Sequence, residues 1–168
     1  ARVANYSLDY IPFMAGKRET RRLMGDWVLT ANEAIEDRPF EDVIAHTGWT
    51  RDVHHPDGIL STEGLFTINT QIPIGQIPYR CLYSRDVPNL FMAGRNISAT
   101  RRALGSARLQ RTTGMMGEIV GMAASICKRH NVDPRGVYEH HLAALKALMR
   151  EGVGRKPDVY AGPEGQVH

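Results

Sequence analysis

The 168-residue sequence predicts an α/β fold, and three observations carry the prediction. Residues 90–93, LFMA, form a short, wholly apolar run of the kind found inside a parallel sheet, and the run stops at Gly94. A proline-free stretch from about Leu109 to His130 reads as a long helix. Between Leu23 and Leu29 apolar and polar residues alternate, with Leu23, Gly25, Trp27 and Leu29 on one side, as in a half-buried strand.

Taken in order, the elements follow from local signals. Thr30-Ala-Asn-Glu33 is a capping-box pattern and predicts a short helix, with Pro39 at or beyond its end. Residues 42–46 open as a short apolar strand, then turn polar through Gly48-Trp49 and Arg51, Asp52, His54 and His55. Three glycines and two prolines between residues 57 and 78 predict loops and short edge strands. IPYRCLY, residues 77–83, reads as a strand, and SRDVPN as a turn. In the long helix Gly114, Gly117, Gly121 and Ala124 fall on one stripe. Glycine costs a helix about 1 kcal/mol relative to alanine, so the stripe predicts close packing against a sheet or a ligand. Lys128, Arg129 and His130 complement the dipole at its end. Asp133-Pro134 caps a last amphipathic helix that runs to about Arg150, where Gly152 ends it; the Gly/Pro-rich tail is expected to be irregular.

Composition bounds what such a chain does. Its 42% hydrophobic and 23% charged residues are those of a globular protein of one ordinary domain, and no apolar run approaches the ~20 residues needed to cross a bilayer. The sequence opens ARVANYSLDYIPF, without methionine or a charged-then-apolar start. It reads as a fragment or a processed chain, and it assigns no compartment. Cys81 and Cys127 are expected to be reduced and buried, Cys81 as a core residue, and no metal-ligand spacing exists. The net charge of +3 rests on 17 arginines against four lysines, a residue suited to bidentate contacts with carboxylates or phosphates.

The corner at Gly94 is where chemistry is expected. Ligands of α/β proteins sit outside the carboxyl ends of strands, and glycine permits close approach and unusual torsion angles. Arg95 is placed to reach an anion, and helix N-termini favour negative charge. Arg95 and Arg108 are the functional candidates among the nearby arginines, while Arg101 and Arg102 are expected in salt bridges.

The stretch YSRDVPNLFMAGRNISATRRALGSARLQRTTGMMGEIVGMAAS resembles the C-terminal flavin-binding segment of FAD-dependent oxidoreductases of the glutathione-reductase-like superclass. A closer similarity, over roughly residues 17–150, is to a bacterial FAD-dependent oxidoreductase family, through RETRRL, IPYRCLY and NLFMAGRNISAT. That family shares Arg95, where the broad superclass has an acidic residue. The resemblance implies the C-terminal fragment of a Rossmann-like FAD-binding domain plus antiparallel strands of a substrate domain. Residues 1–78 would supply substrate-side strands and loops, 79–131 the strand, cofactor loop and Gly-rich helix, 132–151 the last helix and 152–168 the tail. The G-x-G-x-x-G turn that binds the ADP part of FAD is not in this sequence, so a missing N-terminal half of the same enzyme is an expected partner.

Carried over residue by residue, the resemblance sets Gly94, Arg95 and Ser98 near the FAD diphosphate and ribityl chain, with Arg108 beside them. Thr112, Thr113 and Gly114 would turn backbone N–H groups toward the isoalloxazine, which stabilises the anionic reduced flavin. Gly48 and Trp49 would meet the flavin face. His54 or His55 is the candidate base that takes a hydroxyl proton as hydride passes to the flavin, since histidine titrates in the useful range; His55 competes with a plain loop role beside Pro56, and His46 is expected to be structural. Adjacent His140 and His141 point to different helix faces and make no convincing metal pair. The function implied is oxidation of a small polar substrate, a sugar or polyol among the options, with a homo-oligomer compatible. Two other readings stay open: a non-catalytic folded module lacking the ADP-binding half, and a basic domain that binds anions or nucleic acid through its arginines.

Overall fold

A computed structural model describes residues 7, 21–35, 38–62 and 67–152. Helix and strand are mixed, as expected of the class, but the sheets are small and antiparallel. The first segment, residues 21–30, runs extended rather than as the predicted strand. It touches the 96–100 stretch, where Leu23 N donates to Asn96 O at 3.0 Å, Leu29 N to Ser98 O at 3.0 Å and Thr100 N to Leu29 O at 2.9 Å. Gly25 lies so close to the chain that an added Cβ would meet Arg80 O at 2.4 Å, and this close crossing replaces a regular ladder.

Helix α1, Ala31–Ile35, starts at the expected capping box: Thr30 N donates to Glu33 Oε2 at 2.9 Å, and Glu33 N to Thr30 Oγ1 at 3.4 Å. Strand β1, Val43–His46, pairs antiparallel with β4, Gln76–Pro78, with an irregularity between Val43 and Ala45. Strand β2, Arg51–His54, pairs antiparallel with β3, Thr67–Thr70, from Arg51 opposite Thr70 to His54 opposite Thr67. After Pro78 the chain makes one tight helical turn, Tyr79–Cys81, so the predicted strand 77–83 is only begun.

LFMA is not a parallel strand. Phe91 makes a single antiparallel bridge to Tyr83, and Met92 N donates to Leu82 O at 2.7 Å. Among the described residues no strand lies beside it to continue a parallel ladder, and the run is instead anchored by burial of Met92 in the core.

Helix α2, Arg101–Ala107, was not legible as a separate element. It is capped by Thr100, whose Oγ1 accepts from Ala103 N at 3.3 Å, and it packs on β2. Gly105 sits at that contact, where an added Cβ would stand 2.8 Å from Asp52 O. After Arg108 and Leu109 the chain restarts as α3, Gln110–His130. Its buried face carries Thr112, Met116, Ile119, Ala123 and Ile126. The glycine stripe is on the opposite side: Gly114, Gly117 and Gly121 are exposed, and a Cβ at any of them meets nothing within 4 Å. The expected close packing is therefore not made by the described residues.

Asn131, in the left-handed region, ends α3, and Asp133 Oδ1 accepts from Gly136 N at 2.7 Å to start α4, Pro134–Glu151, as the sequence predicts. Helix α4 packs along α3 and closes the core of Leu29, Ile77, Tyr79, Leu82, Ile97 and Leu104. The two adjacent histidines part company there. His141, at a kink, stacks on His130 with centroids 4.2 Å apart, while His140 pairs with Glu139. Burial of the ring and the neighbouring His130 push His141 below the ordinary histidine value.

Candidate functional site

Three neighbourhoods hold the residues singled out above. The first is the corner after Met92. Gly94 has φ of 95°, a left-handed conformation that favours glycine. Beyond it Nε and Nη2 of Arg95 are buried without a hydrogen-bond partner among the described residues, and so is Oγ of Ser98, a residue only 1% exposed. An unpartnered buried guanidinium edge is costly, and such groups are ordinarily satisfied. Two donors of Arg95 and the hydroxyl of Ser98, three positions further along the chain, are thus left without partners among the described residues.

The second neighbourhood is a cleft of about 440 Å³ where the loop after β1 meets the start of α3. It is lined by His46, Gly48, Trp49, Leu109, Arg111 and Thr112. Leu109, at the N-cap, offers no side-chain acceptor, so the first amides of α3 keep their capacity to bind an anionic or electron-rich group. Thr112 is buried and Arg111 exposed at this mouth. The structure thus brings together Gly48, Trp49 and Thr112, which lie far apart in sequence. Thr113 follows them, but its backbone N donates to Leu109 O at 2.8 Å and its Oγ1 to Gln110 O at 3.0 Å, so the expected Thr113 amide is consumed within the helix; Gly114 stands exposed one residue on. His46, expected to be structural, is exposed at the end of β1 and lines the cleft. Trp49, 59% exposed, also lines a second cleft of about 400 Å³, together with Asn69 and Gln71.

The third neighbourhood centres on Asp52. Arg108 Nη2 donates to Asp52 O at 3.2 Å and lies 3.6 Å from Oδ2, so this guanidinium ties the α2–α3 break to β2. His54 Nε2 lies 3.9 Å from the same Oδ2, and Arg101 donates to His54 O. Asp52 Oδ1 is buried without a partner among the described residues. His55 is engaged locally: its Nδ1 accepts from Asp57 N at 3.2 Å and lies 3.7 Å from the Asp57 carboxylate. None of Arg95, Ser98, Arg108, His54 and His55 lines either Trp49 cleft.

Sequence reasoning missed Arg111, Thr50, Asn69 and Gln71. The last two stand two positions apart in TINTQ and so share a strand face, a period-two signal with nothing to mark it as functional. Both cysteines are free, Cys81 buried as expected and Cys127 only half-buried in α3. Cys81 is fully buried, its Sγ donating to Trp27 O at 3.5 Å, and burial pushes its thiol far above the ordinary value, which removes it as a nucleophile. Among the described residues no group of three or more His, Cys, Asp or Glu is placed to hold a metal ion, and no helix is long and apolar enough to cross a membrane.

Comparison with known proteins gives one match. The model of the FAD dependent oxidoreductase family covers residues 2–149. No curated protein and no solved structure matches the chain. With most of its length covered, the chain belongs to the FAD-dependent oxidoreductases, and the cofactor of that family is FAD.

Proposed function

We propose that this FAD-dependent oxidoreductase chain supplies the diphosphate cradle and one wall of the flavin cleft, and that the enzyme oxidises a small polar substrate. The residues fit the cofactor. The observation that carries the reading is the open donor set of Arg95 and Ser98 beside Gly94, which matches an anionic diphosphate in charge and in hydrogen-bonding capacity. At the second neighbourhood the first amides of α3, up to Thr112, favour electron-rich atoms of the ring system, and exposed Gly114 leaves the approach open. Gly48 leaves space at the same cleft, with no atom within 4 Å of an added Cβ, and Trp49 forms one of its walls.

When bound, FAD accepts a hydride equivalent from the substrate. The chain's own part is to remove the accompanying proton. His54 is the base: its Nε2 lies 3.9 Å from the Asp52 carboxylate, which orients the ring. His55, tied to Asp57, keeps a positioning role in the turn. A sugar or polyol alcohol is the substrate class consistent with this chemistry. The alternative of a basic nucleic-acid surface loses support because Arg38, Arg80, Arg108 and Arg135 each pair with a carboxylate within the chain.

The test is a titration of the chain with FAD, read by flavin fluorescence and the visible band. Replacement of Arg95 by Ala removes charged hydrogen bonds of about 1.5–3 kcal/mol, so affinity should fall roughly 10- to 100-fold, with a smaller fall for Ser98→Ala. Affinity unchanged in Arg95→Ala, or no flavin retained by the full-length protein, overturns the reading.

A further inference from the structure

The second cleft lined by Trp49 has a chemistry of its own. It lies between the β1–β2 loop and the chain leaving β3, with Trp49, Thr50, Asn69, Gln71, Ile72 and Ile74 among its walls, and none of its lining residues ionises. Its volume of about 400 Å³ is that of an ordinary small-molecule site. The indole of Trp49 is 59% exposed and Ile74 64% exposed, an apolar pair that a soluble chain leaves open at a cost in hydration. Two exposed carboxamides, Asn69 and Gln71, line the same cleft. At the floor Thr50 Oγ1 is buried with no hydrogen-bond partner among the described residues.

We propose that this cleft is a subsite for the ring of a neutral sugar. A sugar ring has an apolar C–H face that stacks on an indole and a rim of hydroxyls that both donate and accept. Carboxamides carry both functions too, and a threonine hydroxyl adds a third adaptable partner. A purely apolar ligand would bury Asn69, Gln71 and Thr50 unpaired, which is costly. An anionic ligand finds no cation among the lining residues. The proposal names a substrate class for the enzyme proposed above, and it rests on that reading only in joining the two clefts at Trp49. The binding itself needs no flavin.

The experiment is ligand-observed saturation-transfer NMR on the flavin-free chain, with glucose, galactose and mannose as probes, and glucuronate and glycerol as contrasts. At least one neutral hexose should give a saturable signal stronger than glucuronate or glycerol. The signal should weaken roughly tenfold in Trp49→Ala and severalfold in Asn69→Ala and Gln71→Ala. These three side chains are exposed, so circular dichroism should report an unchanged fold. No saturable signal from any hexose, a stronger signal from glucuronate, or a signal kept in full by Trp49→Ala overturns the proposal. Arg95→Ala should weaken flavin binding roughly 10- to 100-fold and leave the hexose signal intact, so failure of one reading is distinguishable from failure of the other.

Discussion

Asp42 shows how a single residue fastens several pieces of chain. It is fully buried, and its carboxylate accepts from Arg80 Nε and Nη2 at 2.9 Å each and from Arg80 N at 3.0 Å. The Arg80 guanidinium lies 4.9 Å from the Trp27 ring and 5.0 Å from that of Tyr138, so the extended first segment, β1, the turn at Tyr79 and α4 meet on one ion pair. Asp42→Ala leaves that cation without its partner and should cost about 3–5 kcal/mol, read from urea unfolding. A loss below about 1 kcal/mol would show that solvent takes over the role of Asp42. The pair illustrates what was not legible in the sequence. Thr30 with Glu33, and Asp133 with Gly136, are close in sequence and announce themselves as caps. Asp42 and Arg80 are 38 positions apart, and opposite charge alone does not select one partner among so many.

At the level of elements, α3 presents an imbalance. Three interior glycines weaken it by about 1 kcal/mol each, and the described residues return nothing, since a Cβ at Gly114, Gly117 or Gly121 meets open space. Alanine at all three positions should therefore raise the stability of this chain by about 2–3 kcal/mol in thermal or urea unfolding. A decrease would mean that this face is covered when the chain folds. Helix existence was legible here because period and caps agree. The role of the stripe was not, because spacing says which residues share a face and not what lies against it. LFMA failed for the related reason that an apolar run reports burial, and Met92 is indeed buried, while pairing depends on neighbours distant in sequence.

For the whole molecule, the extended N-terminal segment and the last helix are joined through Asp26. Arg135 Nε and Nη2 donate to its two oxygens at 2.7 Å, and Tyr83 Oη donates at 2.8 Å. The hydrogen bonds from Arg135 chiefly, and that from Tyr83, hold Asp26 below the ordinary carboxylate value against the opposing effect of burial. A carboxylate with a depressed folded-state value contributes stability that is fully present above its unfolded value and is lost as pH falls through the folded one. The urea midpoint should therefore drop on acidification across and below the ordinary aspartate range, and Asp26→Asn should flatten that drop. An unaltered profile in Asp26→Asn would remove the pair from the account. At this scale the family and its cofactor were legible from an extended motif, whereas the Trp49 clefts were not, because they join loop residues to α3 and β3 across the fold.

The break at Arg108–Leu109 has a consequence for where this fold keeps its polarity. Uninterrupted, residues 101–130 would form one rod whose backbone amides beyond the first turn were all consumed internally. By stopping α2 and starting α3 after two residues, the chain creates a second helical beginning in mid-segment. The first amides of α3 are thereby released from internal bonding, and Leu109, Arg111 and Thr112 of that beginning line the cleft with Trp49. A main-chain interruption, which no side-chain replacement at the cleft can erase, is thus the source of its partial positive charge.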